Sequence, residues 1–192
     1  MKFASIIKDA LMLFIITVVL VLILSVAKVG TQSAIDAANA VAEMKAFNEV
    51  CPGYFSSESI ESDVDSASSG YNASLNGEDA VLRCKNEAGE TIGYIVKCTS
   101  KGFGGPLNLI VGFGKDGKIT GVRYANTPSE TPGLGMKTTA KEFLDSWLDK
   151  DAENVSGVET ISGATVSSSA FKDAVSLACM FASNAVTKDG GN

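Results

Sequence analysis

The stretch Glu159-Thr160-Ile161-Ser162-Gly163-Ala164-Thr165-Val166-Ser167-Ser168-Ser169 is small and hydroxyl-rich, and it stands directly before an apolar-periodic segment. Gly163 and Ala164 leave room for a bulky group to approach the backbone, and the unpaired N–H groups at a helix start favour an anion. The hydroxyls of Ser162, Thr165, Ser167 and Ser168 add donors suited to phosphate oxygens. On residue types alone the same stretch also fits an ordinary helix start, with Ser or Thr capping the first turn and Gly-Ala forming a bend.

Other chemistries are removed by what the chain lacks. It has no histidine, which takes away the commonest metal ligand and the usual general base near neutral pH. Cys51, Cys84, Cys98 and Cys179 show no C-x-x-C or other paired spacing of a zinc or iron–sulfur site, so they read as small buried hydrophobes or at most one disulfide. A net charge of −6 supplies no positive field for nucleic acid. Any redox or group-transfer chemistry here calls for an organic cofactor.

The elements that must position this segment follow from periodicity. A final helix is expected from Ser167 to about Val186, with Phe171, Ala174, Val175, Ala178, Phe181, Ala182 and Ala185 inward. Thr138–Lys150 carries a shorter helical pattern in which Ala140, Phe143, Leu144 and Trp147 share a face; at that spacing Trp147 belongs to a core. Two hairpins precede it: Ala80–Lys85 with Ile92–Cys98 around Glu87-Ala88-Gly89-Glu90, and Leu107–Phe113 with Lys118–Tyr124 around Asp116-Gly117. In the second, Leu107, Leu109, Val111 and Phe113 alternate onto one face. Gly102-Phe103-Gly104-Gly105-Pro106 between the hairpins allows tight turns or close approach to another group. The order of elements suits an α+β domain with a mostly antiparallel sheet flanked by helices.

Upstream, Ala10–Ala27 is apolar except for Thr17 and Ser25, and as a helix it would span ~27 Å, close to a bilayer core. A cleaved signal peptide is the competing reading, with Ser25-Val26-Ala27 as a small-residue site, but the run exceeds the ~7–15 residues usual there. Lys2 and Lys8 before the run and an acidic stretch beyond Lys28 place the amino terminus in the cytoplasm. Ala34, Ala37, Ala38, Val41, Met44 and Phe47 mark an amphipathic helix ended by Pro52-Gly53. Ser56–Asp79 reads as a polar surface excursion. The expected divisions are 1–9 as a cytoplasmic amino terminus, 10–29 as a transmembrane helix, 30–79 as connecting helix and polar segment, and 80–192 as the cofactor domain.

Ser162-Gly163-Ala164-Thr165 resembles the flavinylation motif of the FMN-binding domain shared by RnfG and NqrC, subunits of the Rnf and sodium-pumping NADH:quinone reductase complexes. Ser129-Glu130-Thr131-Pro132-Gly133-Leu134-Gly135-Met136-Lys137 is similar to the same family's E-T-P-G-L-G loop. Two matches in the expected order are far more specific than either alone. The resemblance implies FMN joined covalently to Thr165 by a phosphoester, made by a separate flavin transferase that reads an acidic residue at the position of Glu159, where the family more often has Asp. It further implies that Thr131 and Leu134 contact the flavin ring, that Gly133 and Gly135 permit close backbone approach, and that Glu130 belongs to the site. Lys137 is a candidate for charge near the reduced ring.

Within that family the loops are most similar to RnfG. The implied function is an electron-relay subunit in the cell inner membrane, partnered by the other Rnf subunits in ferredoxin:NAD oxidoreductase coupled to sodium or proton translocation. No turnover is expected of it alone, and its FMN domain is expected outside the cytoplasm. The alternatives are an NqrC-like subunit, a flavoprotein serving an extracytoplasmic reductase, and an anchored assembly subunit that is never modified.

Overall fold

Leu107, Leu109, Val111 and Phe113 are all fully buried on one face of a single strand, the outcome that period-two alternation demands when only one face meets the main core. That strand is β5 (Pro106–Gly114), and the computed structural model, which describes residues 2–60, 70–77 and 79–190, sets it one strand in from the edge of a six-stranded sheet. The other strands are β1 (Ser56–Ser59), β2 (Ala73–Leu75), β3 (Val81–Lys85), β4 (Thr91–Lys101) and β6 (Ile119–Tyr124). Their order is β1-β3-β4-β5-β6, with β2 also paired to β4, and every pairing is antiparallel. Both expected hairpins are present. β1 and β2 fall inside the stretch that composition marks as a polar excursion; β1 is exposed throughout, and a ladder of backbone hydrogen bonds needs no apolar side chain to form.

One face of the sheet is covered by α3 (Thr165–Gly190), whose Phe171, Ala174, Val175, Ala178, Phe181, Ala182 and Ala185 are all buried. The opposite face is covered by the end of α1 (Lys2–Val50), through Phe47 and Val50 against Leu82, Ile95 and Ile110. The approach there is close. Gly112 and Gly121 are register partners, and a Cβ on Gly112 would fall 2.2 Å from the Val50 carbonyl oxygen, so neither position tolerates a larger residue without moving the helix. Thr120 donates its hydroxyl to that same carbonyl, which satisfies one of the acceptors left open at a helix end.

The helix expected over Thr138–Lys150 is broken into a 3-10 turn at Gly135–Thr139 and the short α2 (Lys141–Asp145), with extended backbone at Ala140 between them. Its tail is captured by β6: Ile119 donates its N–H to Lys150 at 2.8 Å, Asp149 returns one to Ile119 at 3.0 Å, and Asp149 takes a φ of 60° to do so. Phe143, Leu144 and Trp147 are buried nonetheless, with Phe143 and Trp147 edge-on to each other and both rings against Phe171. All four cysteines are buried free thiols. Burial raises the pKa of Cys98 and Cys179, the latter to about 12.

The chain divides into two compact units, residues 1–42 and 43–192. In the first, the side chains from Leu11 to Ile16 and from Val18 to Leu22, with Leu24, stand exposed on the helix. The apolar run Ala10–Ala27 lies partly outside the described side chains, at residues 23, 26 and 27, as do Ala34, Ala37 and Ala38 of the amphipathic stretch. Among the described residues no helix is long and apolar enough to cross a membrane.

Candidate functional site

Three separate pieces of chain meet at the amino-terminal end of α3. The helix begins at Thr165 rather than Ser167, because Ala164 already accepts the N–H of Ser168 at 2.9 Å. The amides of Thr165, Val166 and Ser167 then take no backbone acceptor among the described residues, as the geometry of a helix start dictates. Gly163 turns the chain into the helix with a φ of +79°, a conformation that side chains resist.

Beside this end lies a cavity of about 310 Å³. One wall is Gly163, Ala164, Thr165, Val166 and Ser167; the facing wall is Glu130, Thr131, Leu134 and Gly135, with Phe103 from the loop between β4 and β5. A Cβ placed on Gly163 would lie 3.6 Å from Leu134, which measures how closely the two segments face each other.

The pieces are tied together by one buried carboxylate. Glu130 accepts the Ser167 hydroxyl at 2.6 Å and the Gly104 N–H at 3.1 Å, so a single side chain clamps the helix start, its own loop and the glycine loop. The fit around it leaves no room: a Cβ on Gly135 would fall 2.3 Å from one Glu130 oxygen and a Cβ on Gly102 would fall 2.2 Å from the other. Behind the loop Tyr124 and Thr138 are hydrogen-bonded at 2.7 Å, and desolvation lifts the tyrosine pKa to about 12, keeping it a neutral hydroxyl.

The hydroxyls divide by what already holds them. Ser168 donates to the Ala164 carbonyl at 2.9 Å and accepts the Ile161 N–H at 3.0 Å, so it fastens the turn before the helix. Ser167 is committed to Glu130. Thr165 is exposed, and its hydroxyl has no partner among the described residues.

Of the residues expected from sequence, Glu130, Thr131, Leu134, Gly135, Gly163, Ala164, Thr165 and Ser167 all line the cavity. Ser162, Gly133 and Lys137 are exposed outside its lining, Ser168 is buried behind it, and Glu159 is exposed before the turn. Phe103 and Val166 are additions that residue types did not mark. Their signal is visible only in place, as large apolar side chains left 72% and 57% exposed at the cavity. Trp147 is fully buried and belongs to the core.

The site fits a phosphorylated, ring-bearing ligand: amides and a hydroxyl at a helix start with no partner among the described residues, next to an apolar recess. Among the described residues no cluster could hold a metal ion. Residues 102–179 match the FMN-binding domain family, and that span contains every segment of the cavity. The chain is 30% identical over 177 residues to the G subunit of the ion-translocating oxidoreductase complex of Methanosarcina acetivorans, covering 88% of this chain and 89% of that protein. Against the G subunit of the Na(+)-translocating ferredoxin:NAD(+) oxidoreductase complex of Acetobacterium woodii it is 28% identical over 183 residues, 88% of each chain. The G subunit of the proton-translocating ferredoxin:NAD(+) oxidoreductase complex of Clostridium ljungdahlii is 33% identical over 90 residues, 42% of this chain and 48% of that one. With a relative this similar across nearly its whole length, the chain belongs to the RnfG family, the G subunits of ion-translocating oxidoreductase complexes.

Proposed function

We propose that this chain is the FMN-carrying electron-relay subunit of a membrane-bound Rnf-type complex, with FMN attached to Thr165 by a phosphoester. The observation that carries the reading is the state of the Thr165 hydroxyl: exposed, on the cavity wall at the start of α3, and, like the amides around it, without a partner among the described residues. A phosphate esterified there would meet donors rather than carbonyls, and the positive end of the helix dipole would favour its charge. Ser162, exposed just before the turn, offers a further hydroxyl that no bond within the described residues engages. Glu130 contributes by fixing the two walls relative to each other. Thr131 and Leu134 face the recess that would receive the ring, and the apolar side chains there keep water from it. When bound, FMN supplies reversible electron uptake and release, and the protein's part is to hold and tune it.

Glu159, exposed six residues before Thr165, is the acidic residue that a flavin transferase would read during maturation. Membrane attachment is supported by the sequence of Ala10–Ala27 together with the exposure of Leu11 to Leu22 on a continuous helix, since large apolar side chains in such a row need an apolar surround. The cation bias of Lys2 and Lys8 then places the amino terminus in the cytoplasm and residues 43–192 outside it. The remaining subunits of the complex would pass electrons to and from this one in ferredoxin:NAD oxidoreduction coupled to sodium or proton movement, as the relatives' names describe for their own complexes.

The test is an intact mass of the full chain expressed with a flavin transferase, followed by peptide mapping. Flavin mass on the peptide containing Thr165 is the expected result. A chain that weighs no more than its amino acids under those conditions would leave the anchored, unmodified assembly role as the better description.

A further inference from the structure

We propose that Phe103 contacts the flavin ring directly and shields it from solvent, an inference that rests on the FMN reading above. A single exposed phenylalanine at a loop tip is ordinary in general. This one differs in two ways. It stands 72% exposed while lining the cavity, together with Leu134 and Val166. The loop that presents it is also tied down: Gly102 donates to Gly105 at 2.9 Å to close the turn, and Gly104 donates to Glu130. A Cβ on Gly104 would fall 1.8 Å from the Ser129 carbonyl, so the loop lies flat against the neighbouring segment. A large apolar ring held rigidly at the edge of a recess loses water when a second flat ring enters, and aromatic rings favour each other's offset faces or edges. The same Glu130 clamp that ties Ser167 at the helix start therefore ties the loop of Phe103 to the cavity that Thr165 also lines.

The role is tested on the full chain carrying flavin, with attachment verified by intact mass in every variant. Phe103→Ala should raise the bimolecular constant for acrylamide quenching of the flavin by roughly twofold to tenfold, the factor by which loss of an aromatic contact of this kind shifts the equilibrium between covered and uncovered ring. Phe103→Tyr should keep that constant near the parent's while lowering the emission itself, because a phenol ring in contact quenches excited flavin by electron transfer. Full flavin load in Phe103→Ala with an unchanged quenching constant would overturn the contact. If Phe103→Ala carries no flavin, Phe103→Leu and Phe103→Tyr decide: emission lowered in the tyrosine variant but not in the leucine variant supports the contact, and equal emission overturns it. A parent protein without flavin mass overturns the FMN reading itself and this role with it.

Discussion

At the carboxy-terminal end of α3 the Asp189 carboxylate is gripped by the Arg83 guanidinium, through Nε at 2.8 Å and a second N–H, and by the Tyr94 hydroxyl at 2.7 Å. At the amino-terminal end of the same helix, three amides and the Thr165 hydroxyl stand at the cavity without a partner among the described residues. An acidic residue near a helix carboxy terminus is unfavourable by itself, and the guanidinium offsets it. The groups at the other end are in the orientation that welcomes an anion, and no side chain among the described residues fills them. The polar groups at one end of the helix are thus satisfied by the fold's own side chains, while those at the other end are left open for a ligand.

Removing the hydroxyl at the open end should have the largest functional effect and almost no structural one. Thr165→Val should abolish covalent flavin, read by intact mass, while unfolding free energy stays within about 0.5 kcal/mol, because no hydrogen bond is lost. A large drop in stability would mean that the hydroxyl serves the fold, and the contrast between the two ends would collapse.

Glu130 tests whether the open end needs its clamp. Glu130→Ala leaves the Ser167 hydroxyl and the Gly104 N–H without their acceptor, and should cost about 1–3 kcal/mol in denaturant unfolding. Flavin load should fall in parallel, since the walls of the cavity lose their common tie. Glu130→Gln keeps an acceptor and should recover most of both.

The closed end should respond least, and through pH. The Arg83 hydrogen bonds hold the Asp189 pKa below the ordinary carboxylate value, so the pair's contribution is present above the unfolded pKa of about 3.9 and is lost as pH falls through the lower folded value. Both side chains are partly exposed, so Asp189→Asn should cost no more than about 1 kcal/mol near neutral pH, and should flatten the acid limb of the stability profile. Flavin load in Asp189→Asn should match the parent, which would sharpen the division of labour along α3.

Much of this was open to reading from residue order alone. Alternation in Leu107–Phe113 fixed which face of β5 is buried, and the small, hydroxylated stretch before an apolar-periodic segment located a helix start with spare donors. The pattern over Thr138–Lys150 named Phe143, Leu144 and Trp147 correctly as buried, but Ala140 is exposed and the backbone is not one helix, because capture of Asp149 and Lys150 by Ile119 is a non-local event that overrides helical periodicity. The polar stretch 56–79 hid two strands for a related reason: ladder hydrogen bonds depend on a neighbouring strand rather than on composition.

Local periodicity and residue type are properties of neighbours along the chain, and they determined the elements, the likeness to a flavin-carrying family and the hydroxyl at Thr165. Tertiary structure alone decided which hydroxyls were already taken. Ser168 is spent on its own turn and Ser167 on Glu130, 37 residues distant in sequence. It also decided that Phe103 would face the cavity, since only chain closure brings the loops before β5, after β6 and before α3 to one place, and no local pattern encodes that meeting.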